Sequence, residues 1–393
     1  MQKVYIVEAG RTPIGTYLGA LSSLTTVELG IIAAKATIER SSIKPEQIEN
    51  VVAGVVYRAG TRGNPARQIQ IACGIPFETS ASTVDQQCAS SMRALEMAAM
   101  EIALEKNDIA LVVGAESMSN TPNLIMNAKT GSRMGPLHVE DALLYDALNC
   151  ALAGGHMGTT AENLAEMYNI SREEQDELAY ESHKRAIAAQ AAGRFDKEMI
   201  PVEITTKKGT VIVNKDGGPR ADVSLESLAK LKPAFRKGGT VTAGNASSVN
   251  DGAACVILVS ERKLKELGLK PIAEIISIEA YGVDPKIMGI GPAYAVPKAL
   301  KSAGLSKEDI GIWELNEAFA AQFLACNREL KLDPAIVNRL GSGISLGHPV
   351  GMTGVRIVVT ALSQLDWINA EFLVASLCVG GGPAMATVLK SMR

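Results

Sequence analysis

The 393-residue sequence has few aromatic residues, little net charge and no long apolar run. Its 39 Lys+Arg and 42 Asp+Glu leave a net charge of -3, which argues against a dedicated nucleic-acid-binding or polybasic membrane surface. No apolar run reaches the roughly 18 residues of a membrane-spanning helix. The residues after Met1 are typical of a strand rather than a signal peptide. We therefore expect a cytoplasmic protein.

Signatures of disulfides, metal sites and nucleotide chemistry are also missing. The six cysteines lie far apart without a CxxC pair, and the four histidines form no HExxH pattern. The sequence has no GxxxxGK[ST] loop and no strand-linked GxGxxG, so neither ATP nor nicotinamide chemistry has its usual motif. Most of the cysteines could simply be small buried hydrophobic residues.

The sequence does contain alternating strand and helix patterns, which predict an α/β fold with a largely parallel sheet. A loop–helix–strand unit at 88–114 opens with a turn carrying Cys88, and a similar unit at 348–380 opens with a turn carrying His348. This order suggests a weak internal duplication, although it could also arise by chance in any α/β protein.

The middle of the chain, roughly Ser119 to Asn250, breaks the alternation and predicts an inserted lobe. A long helix should begin near Ser171, where Glu174 completes a capping-box pattern, and end at Gly193. Residues 207–237 hold eight basic and three acidic side chains. Such a cluster is either a solvated face or a patch that attracts a small polyanion.

Four turns carry groups capable of chemistry. Cys88 precedes a predicted helix whose N-terminus should lower the thiol pKa and favour a nucleophile. His348, in a glycine-rich turn, could act as its base and donate to a carbonyl oxygen. Cys378 precedes three glycines whose N–H groups could form an oxyanion hole, and Asn316 opens an Asn-Glu-Ala-Phe turn.

Each of these turns alone could be structural: a capped turn, a packed strand end or a bend. Two cysteines and one histidine in such turns together predict a two-step acyl transfer with a separate nucleophile and proton shuttle.

These motifs, in this order, resemble the thiolase family. Further matching segments are the Arg-Thr-Pro-Ile-Gly at 11–15, the His-Met-Gly segment at 156–163, and 239–247 and 250–254. The resemblance implies a thiolase-like duplicated, five-layered α-β-α-β-α core with an inserted loop domain. The implied boundaries are 1–118 completed by 250–270, an insertion at 119–249 for coenzyme A binding and oligomer contacts, and 271–393. It also implies a homo-oligomer, dimer or tetramer.

The resemblance implies an acetyl-CoA C-acetyltransferase that joins two acetyl-CoA into acetoacetyl-CoA and CoA. The thioester would acylate Cys88, with His348 as its activating base, and Cys378 would take the α-proton of acetyl-CoA. One oxyanion hole would consist of the His348 side chain and a water held by Asn316. The other would consist of the backbone N–H groups of Cys88 and Gly380. No metal or resident cofactor is implied, because coenzyme A and its thioesters are substrates.

A coenzyme A site is implied as well, with cations for the phosphates and an apolar tunnel for the pantetheine arm. Arg220 would lie nearest the phosphates, and Met288 would shorten the acyl pocket. Phe235 and Leu148 could equally be core residues. The full set implied for this site is Leu148, His156, Met157, Arg220, Ser227, Phe235, Ala243, Ser247, Met288, Ala318 and Phe319.

The sequence departs from the usual thiolase pattern at Asp85, Ser91, Gly155 and the Pro-Ala pair at 383–384. A charge at Asp85 should oppose thiolate formation unless it is paired. Two alternatives remain open: a degradative 3-ketoacyl-CoA thiolase of broader chain length, and a catalytically silent coenzyme A-binding partner protein. A ketoacyl-synthase-like condensing enzyme is disfavoured, because the second cysteine and the His-Met-Gly motif are present.

Overall fold

A computed structural model describes residues 2–131, 133–207 and 209–393 of the chain. Lys208, one of the eight basic residues of the 207–237 segment, lies outside the described residues. Within the described ranges, every helix is too short or too polar to cross a lipid bilayer.

The first half of the core alternates strands and helices up to residue 117. Its elements are β1 (Val4–Arg11), β2 (Gly15–Thr16), α1 (Thr26–Arg40), β3 (Asn50–Gly54), α2 (Pro65–Ala72), β4 (Ser80–Val84), α3 (Ser90–Ala103) and β5 (Ile109–Ser117).

A long excursion follows before the chain returns to the sheet. Its elements are β6 (Asn123–Leu124), β7 (Glu140–Asp141), β8 (Asn149–Cys150), β9 (Gly155–His156), α4 (Met157–Met167), α5 (Arg172–Ala191), β10 (Val202–Thr206), β11 (Gly209–Val213) and α6 (Leu225–Ala229). The returning strand is β12 (Asn250–Ser260), followed by α7 (Glu261–Leu267).

The second half of the core repeats the pattern of the first. Its elements are β13 (Ala273–Gly282), α8 (Pro292–Ala303), β14 (Ile310–Leu315), α9 (Ala320–Leu330), α10 (Gly343–Leu346), α11 (Thr353–Ser363), β15 (Phe372–Cys378) and β16 (Pro383–Ser391).

The two halves have the same sheet topology, which confirms the predicted duplication. In the first half the strand order is β4-β3-β5-β12-β1, with parallel pairs up to β5 and antiparallel pairs after it. In the second half β14 and β15 pair in parallel, and β15-β16-β13 continue antiparallel. The counterpart of β4 is reduced to one parallel bridge between Trp313 and Val337.

The core has the five layers that the resemblance implies. The two half-sheets join at one edge, where β1 pairs with β13. Helices α3 and α11 pack in one apolar cluster with residues of both half-sheets and form the central layer. Helices α1 and α2 cover the outer face of the first half-sheet, and α8 and α9 cover that of the second. Helix α11 is buried almost throughout, as its apolar sequence requires in a central layer.

The predicted long helix of the insertion is also present. Ser171 caps α5 by accepting a hydrogen bond from the Glu174 N–H, and the Glu174 carboxylate accepts one from the Ser171 N–H. Gly193 follows the helix with φ +65°, in the left-handed region that glycine adopts without strain. The capping box and the helix stop were therefore readable from the sequence.

A buried ion-pair cluster ties the excursion to the core. The Arg11 guanidinium, at the end of β1, donates to the carboxylates of Glu198 and Asp216 and is fully buried. Asp216 also accepts a hydrogen bond from the Ile14 N–H at 2.8 Å. Removing Asp216 would leave Arg11 Nη2 and the Ile14 N–H without their hydrogen-bond acceptor in a place that water cannot reach.

We expect Asp216→Ala to lower the free energy of unfolding by about 3–5 kcal/mol, because it removes one of the two carboxylates that face the buried Arg11 and leaves Arg11 Nη2 and the Ile14 N–H without their acceptor. Urea unfolding at fixed protein concentration measures the loss. Glu226→Ala is the control, since the Glu226–Lys230 pair is exposed and should contribute no more than about 0.5 kcal/mol. Equal effects of the two variants would contradict this prediction.

Candidate active site

Cys88 lies on a tight turn between β4 and α3. Gln87 has φ +47°, a left-handed conformation that is strained for a residue with a side chain. Two side chains hold the turn: the Asp85 carboxylate accepts a hydrogen bond from the Gln87 N–H at 2.9 Å, and Ser90 Oγ accepts one from the Gln86 N–H at 2.9 Å. The first residue of the helix is Ser90, so Cys88 lies just ahead of it.

The expectation that the helix N-terminus lowers the pKa of Cys88 is wrong. Burial raises the pKa of the Cys88 thiol to about 11, even though the N–H groups of Gly380 and Cys88 itself favour the thiolate. The negative charges of Asp85 and Glu116 contribute to this raised pKa. Desolvation of the charged form therefore outweighs the local dipoles.

The orientation of the His348 ring is set by a hydrogen bond at its Nδ1. The Thr353 hydroxyl donates its proton to the Pro349 carbonyl at 2.9 Å, so it accepts from His348 Nδ1–H at 2.7 Å. This leaves Nε2 as the unprotonated nitrogen, 3.5 Å from Asn316 Nδ2. The backbone N–H of His348 donates to Asn250 Oδ1 at 2.9 Å.

The imidazole of His348 is neutral at physiological pH. Burial and, to a smaller extent, the positive charge of Arg356 together lower the pKa of His348 to about 3. With the pKa of Cys88 raised, the pair rests as neutral thiol and neutral imidazole. Such a pair can transfer the thiol proton to Nε2 as the sulfur attacks an electrophile, in the manner of a general base.

Cys378 ends β15 and is buried, and burial together with the neighbouring Cys88 raises its pKa well above that of a free thiol. The following turn places the Gly380 N–H at the Cys88 thiol. A Cβ at Gly380 would lie 2.5 Å from Met157 Cε, so a side chain there would displace the end of Met157. The N–H groups of Gly380 and Cys88 thus both lie beside the Cys88 sulfur, where donors of an oxyanion hole are needed.

A cavity of about 300 Å³ joins these groups. Most of the residues proposed from the sequence line it: Cys88, Leu148, His156, Met157, Phe235, Ala243, Ser247, Met288, Ala318, Phe319, His348, Cys378 and Gly380. Asn316 is buried behind His348 rather than in the cavity wall.

Two residues proposed for coenzyme A binding lie outside this cavity. The Arg220 side chain is exposed, and its backbone N–H donates to His183 Nδ1 at 3.2 Å. Ser227 is exposed and pairs with Ser224 in the capping box of α6. These two residues therefore belong to the open surface rather than to the cavity wall.

Aromatic stacking forms one wall of the cavity. Phe235 stacks on His156 with ring centroids 4.6 Å apart and meets Phe319 edge-on at 5.9 Å. A Cβ at Gly158 would collide with the Phe235 ring. For Phe235 and Leu148 the sequence left two interpretations open, core packing and a place in the binding site. Each packs in an apolar cluster and also faces the cavity, so the two interpretations are compatible.

Sequence reasoning missed the residues that support the histidine and the nucleophile. Asn250 and Thr353 hold His348, and the Arg356 guanidinium donates to Asn316 Oδ1 at 3.3 Å, turning Asn316 Nδ2 toward His348. A hydroxyl in the first turn of the helix after His348 was a readable signal for Thr353. The cavity residues missed are Gln87, Met118, Ala147, Ala234, Ala246, Ser248, Val249 and Val350.

Glu116 was also missed and carries no local sequence signal. Its fully buried carboxylate accepts hydrogen bonds from the N–H groups of Val56, Tyr57 and Gly351. Burial raises the pKa of Glu116 to about 8, against those hydrogen bonds. Glu116 thereby connects the loop after β3 with the turn after His348, two segments that lie far apart in the sequence.

The unusual residues near the second cysteine fit their surroundings. Pro383 is the first residue of β16, a position where a strand tolerates proline. Ala384 pairs with Cys378 across the neighbouring strands. Its methyl group occupies space that Gly291 leaves, since a Cβ on Gly291 would lie 2.5 Å from the Ala384 Cβ.

Gly155, the unusual residue of the insertion, lies in an open place. A Cβ at Gly155 would meet only Thr159 Oγ1, at 3.7 Å.

Comparisons with known proteins agree over the whole chain. The family models described as thiolase, N-terminal domain, and thiolase, C-terminal domain, match residues 4–262 and 269–391. A probable acetyl-CoA acyltransferase of Staphylococcus aureus (strain COL) is 45% identical over 394 residues, covering 100% of both chains.

Solved structures also match from end to end. The acetyl-CoA acetyltransferase from Syntrophomonas wolfei is 50% identical with a TM-score of 0.98, covering 100% of both chains. The human mitochondrial 3-ketoacyl-CoA thiolase in complex with CoA is 39% identical with a TM-score of 0.96, covering 99% of this chain and 98% of that one.

We expect Asp85→Asn to make Cys88 more reactive. The amide oxygen can still accept from the Gln87 N–H, whereas loss of the negative charge lowers the pKa of Cys88 and raises the thiolate fraction. The rate of Cys88 alkylation by iodoacetamide at pH 8 should rise roughly two- to fivefold at low salt and less at about 1 M salt, because Asp85 is exposed. Glu226→Gln is the distant control, and an unchanged rate in Asp85→Asn would refute the electrostatic explanation.

Proposed function

The chain belongs to the thiolase family, and from that premise we propose that it is an acetyl-CoA C-acetyltransferase, reversibly condensing two acetyl-CoA into acetoacetyl-CoA and CoA. The observation that carries this proposal is that one cavity is lined by the thiols of Cys88 and Cys378 and by the neutral imidazole of His348. The names of the relatives from S. aureus and S. wolfei support it.

In the first half-reaction the Cys88 sulfur attacks the thioester carbonyl of acetyl-CoA. His348 Nε2 takes the thiol proton as the carbon–sulfur bond forms, and returns it to the departing coenzyme A sulfur. The negative oxygen of the tetrahedral intermediate needs hydrogen-bond donors, a role that we assign to protonated His348 and a water held by Asn316. The product is an acetyl thioester on Cys88.

In the second half-reaction the Cys378 thiol gives its own proton to His348 Nε2, and the resulting thiolate takes a proton from the methyl group of another acetyl-CoA. The enolate carbon attacks the acetyl carbonyl on Cys88, and the leaving Cys88 sulfur takes the proton back from His348 Nε2, giving acetoacetyl-CoA. The N–H groups of Cys88 and Gly380 suit the oxyanion of this step, because they converge beside the Cys88 sulfur. The high pKa of Cys378 suits a base for a weakly acidic carbon.

Coenzyme A would lie along the apolar cavity with its pantetheine arm against the wall that includes Phe235 and Phe319. We propose that Arg220, exposed beyond the cavity, meets the phosphates together with other basic side chains of the 207–237 segment. The solved complex of the human mitochondrial 3-ketoacyl-CoA thiolase with CoA supports a coenzyme A site in this fold.

A degradative 3-ketoacyl-CoA thiolase of broader chain length is the second candidate. The 40% identity to a human mitochondrial 3-ketoacyl-CoA thiolase and the open surroundings of Gly155 favour it. Against it, Met288 is buried and occupies the cavity wall where a longer acyl chain would extend. A catalytically silent coenzyme A-binding protein is disfavoured, because the nucleophile, the base and the second thiol are all present.

We further propose a homo-oligomer, a dimer or tetramer, acting in the cytoplasm in fatty acid metabolism. Large apolar side chains on the surface of the insertion support an assembly, among them Met126, Met134 and Leu137, which are 55%, 96% and 58% exposed.

The decisive experiment separates the two thiols. We expect Cys378→Ser to accumulate one acetyl group on Cys88 when mixed with acetyl-CoA alone, with about one equivalent of CoA released per chain and no acetoacetyl-CoA formed, because acylation needs only Cys88 and His348. Peptide mass mapping locates the group. Cys326→Ser, which removes another buried thiol, should turn over normally. An acetyl group on any residue other than Cys88 would overturn the assignment.

Acyl-chain choice tests the proposed specificity. We expect kcat/KM for thiolysis to fall tenfold or more, about 1.4 kcal/mol, from a four-carbon to a six-carbon 3-ketoacyl-CoA, because exclusion by Met288 must outweigh about 0.8 kcal/mol per buried methylene. Met288→Ala should bring the two substrates to within about threefold of each other.

Met118→Ala is the matched control, because Met118 lines the cavity but packs in a different cluster. It should affect both chain lengths alike. Equal cleavage of four- and eight-carbon substrates by the wild-type protein would replace the acetoacetyl-CoA assignment with the degradative one.

A further inference from the structure

Ser91 occupies a space made by three glycines in the central layer. It is the second residue of α3 and is fully buried. A Cβ at Gly114 would lie 2.6 Å from Ser91 Cβ, one at Gly354 would lie 3.0 Å from Ser91 Oγ, and one at Gly54 would collide with the Ser91 backbone. The fit leaves the Ser91 hydroxyl close to the first turn of α11.

The Ser91 hydroxyl makes two hydrogen bonds, both to α11. It accepts from the Val355 N–H at 3.0 Å and donates to the Met352 carbonyl at 3.1 Å. Met352 is the N-cap residue of α11 and makes no side-chain capping bond. Since Val355 is the third residue of the helix, its N–H is one that an N-cap serine normally serves. Ser91 therefore caps α11 from another helix.

This cap links the two elements that carry the proposed nucleophile and base. Helix α3 follows the turn of Cys88, and α11 follows the turn of His348. Thr353, the first residue of α11, holds His348 Nδ1 at 2.7 Å. Any shift of the first turn of α11 against α3 would change both the separation of Cys88 from His348 and the direction of Nε2.

We propose that Ser91 is a positioning residue, whose hydroxyl keeps His348 oriented to take the proton of Cys88. This role rests on the proposed acyl transfer, because it concerns the first proton transfer of that reaction. A purely structural role is the competing explanation, since any buried capping hydroxyl stabilises its helix.

A matched control exists elsewhere in the core. Ser260 is fully buried, accepts from the Lys263 N–H at 3.1 Å as the cap of α7, and donates to Asp108 Oδ1 at 2.6 Å. Ser260→Ala thus removes a buried capping hydroxyl that touches neither proposed catalytic turn. Comparing it with Ser91→Ala separates lost stability from lost positioning.

The experiment uses the full chain and two readouts. We expect Ser91→Ala to release CoA in the first turnover with acetyl-CoA roughly tenfold more slowly, a loss of the size expected for a missing cap, with KM for CoA unchanged. Alkylation of Cys88 by iodoacetamide between pH 6 and 9 should slow by a similar factor. Ser260→Ala should match the wild-type protein in both rates while its Tm falls as much as that of Ser91→Ala.

Wild-type rates in Ser91→Ala, with a Tm lowered like that of Ser260→Ala, would overturn the proposal. Ser91→Gly is the second variant should Ser91→Ala not fold, and failure of both to fold would mean that the hydroxyl serves folding alone, which also overturns it. If the wild-type protein releases no CoA, the proposed function fails, whereas the alkylation rates still decide the role of Ser91.

Discussion

The contact between α3 and α11 is the constraint on which the rest of the structure depends. Both helices lie in the central layer between the half-sheets, and their first turns meet through Ser91, Met352 and Val355. Because the core is duplicated, the two helices are counterparts, and the turns that precede them open at the same edge. One turn carries Cys88 and the other carries His348, so the duplication itself brings the proposed nucleophile and the proposed base to one cavity.

Burial determines how this site can be reactive. Burial disfavours the charged form of each group, the thiolate of Cys88 and the imidazolium of His348. The pKa of Cys88 therefore rises, the pKa of His348 falls, and both groups rest neutral. Reactivity then depends on geometry: an unprotonated Nε2 aimed by Thr353, and N–H groups of Cys88 and Gly380 ready for developing charge. Charge appears only during reaction, where such fixed dipoles act most strongly.

The excursion between β5 and β12 completes the cavity that the core alone would leave open. Its residues Phe235 and His156 supply an aromatic wall, while the buried Arg11–Asp216 pair ties it to the first strand. The missing side chain at Gly158 lets Phe235 approach. The buried ion pair and the close approach at Gly158 together place this aromatic wall against the two turns of the core.

The sequence by itself determined the order of elements, the duplicated loop–helix–strand units, the capping box at Ser171 and the motif residues that line the cavity. These features are local, since each is encoded by spacing and residue type within a short segment. Protonation states, the tautomer of His348 and the partners of Ser91 and Glu116 were decided only by the tertiary structure. They depend on desolvation and on hydrogen bonds between residues far apart in the chain, and no local pattern carries that information. The thiol pKa is the clearest case: the helix start ahead of Cys88 predicted a lower value, and burial by distant residues raised it instead.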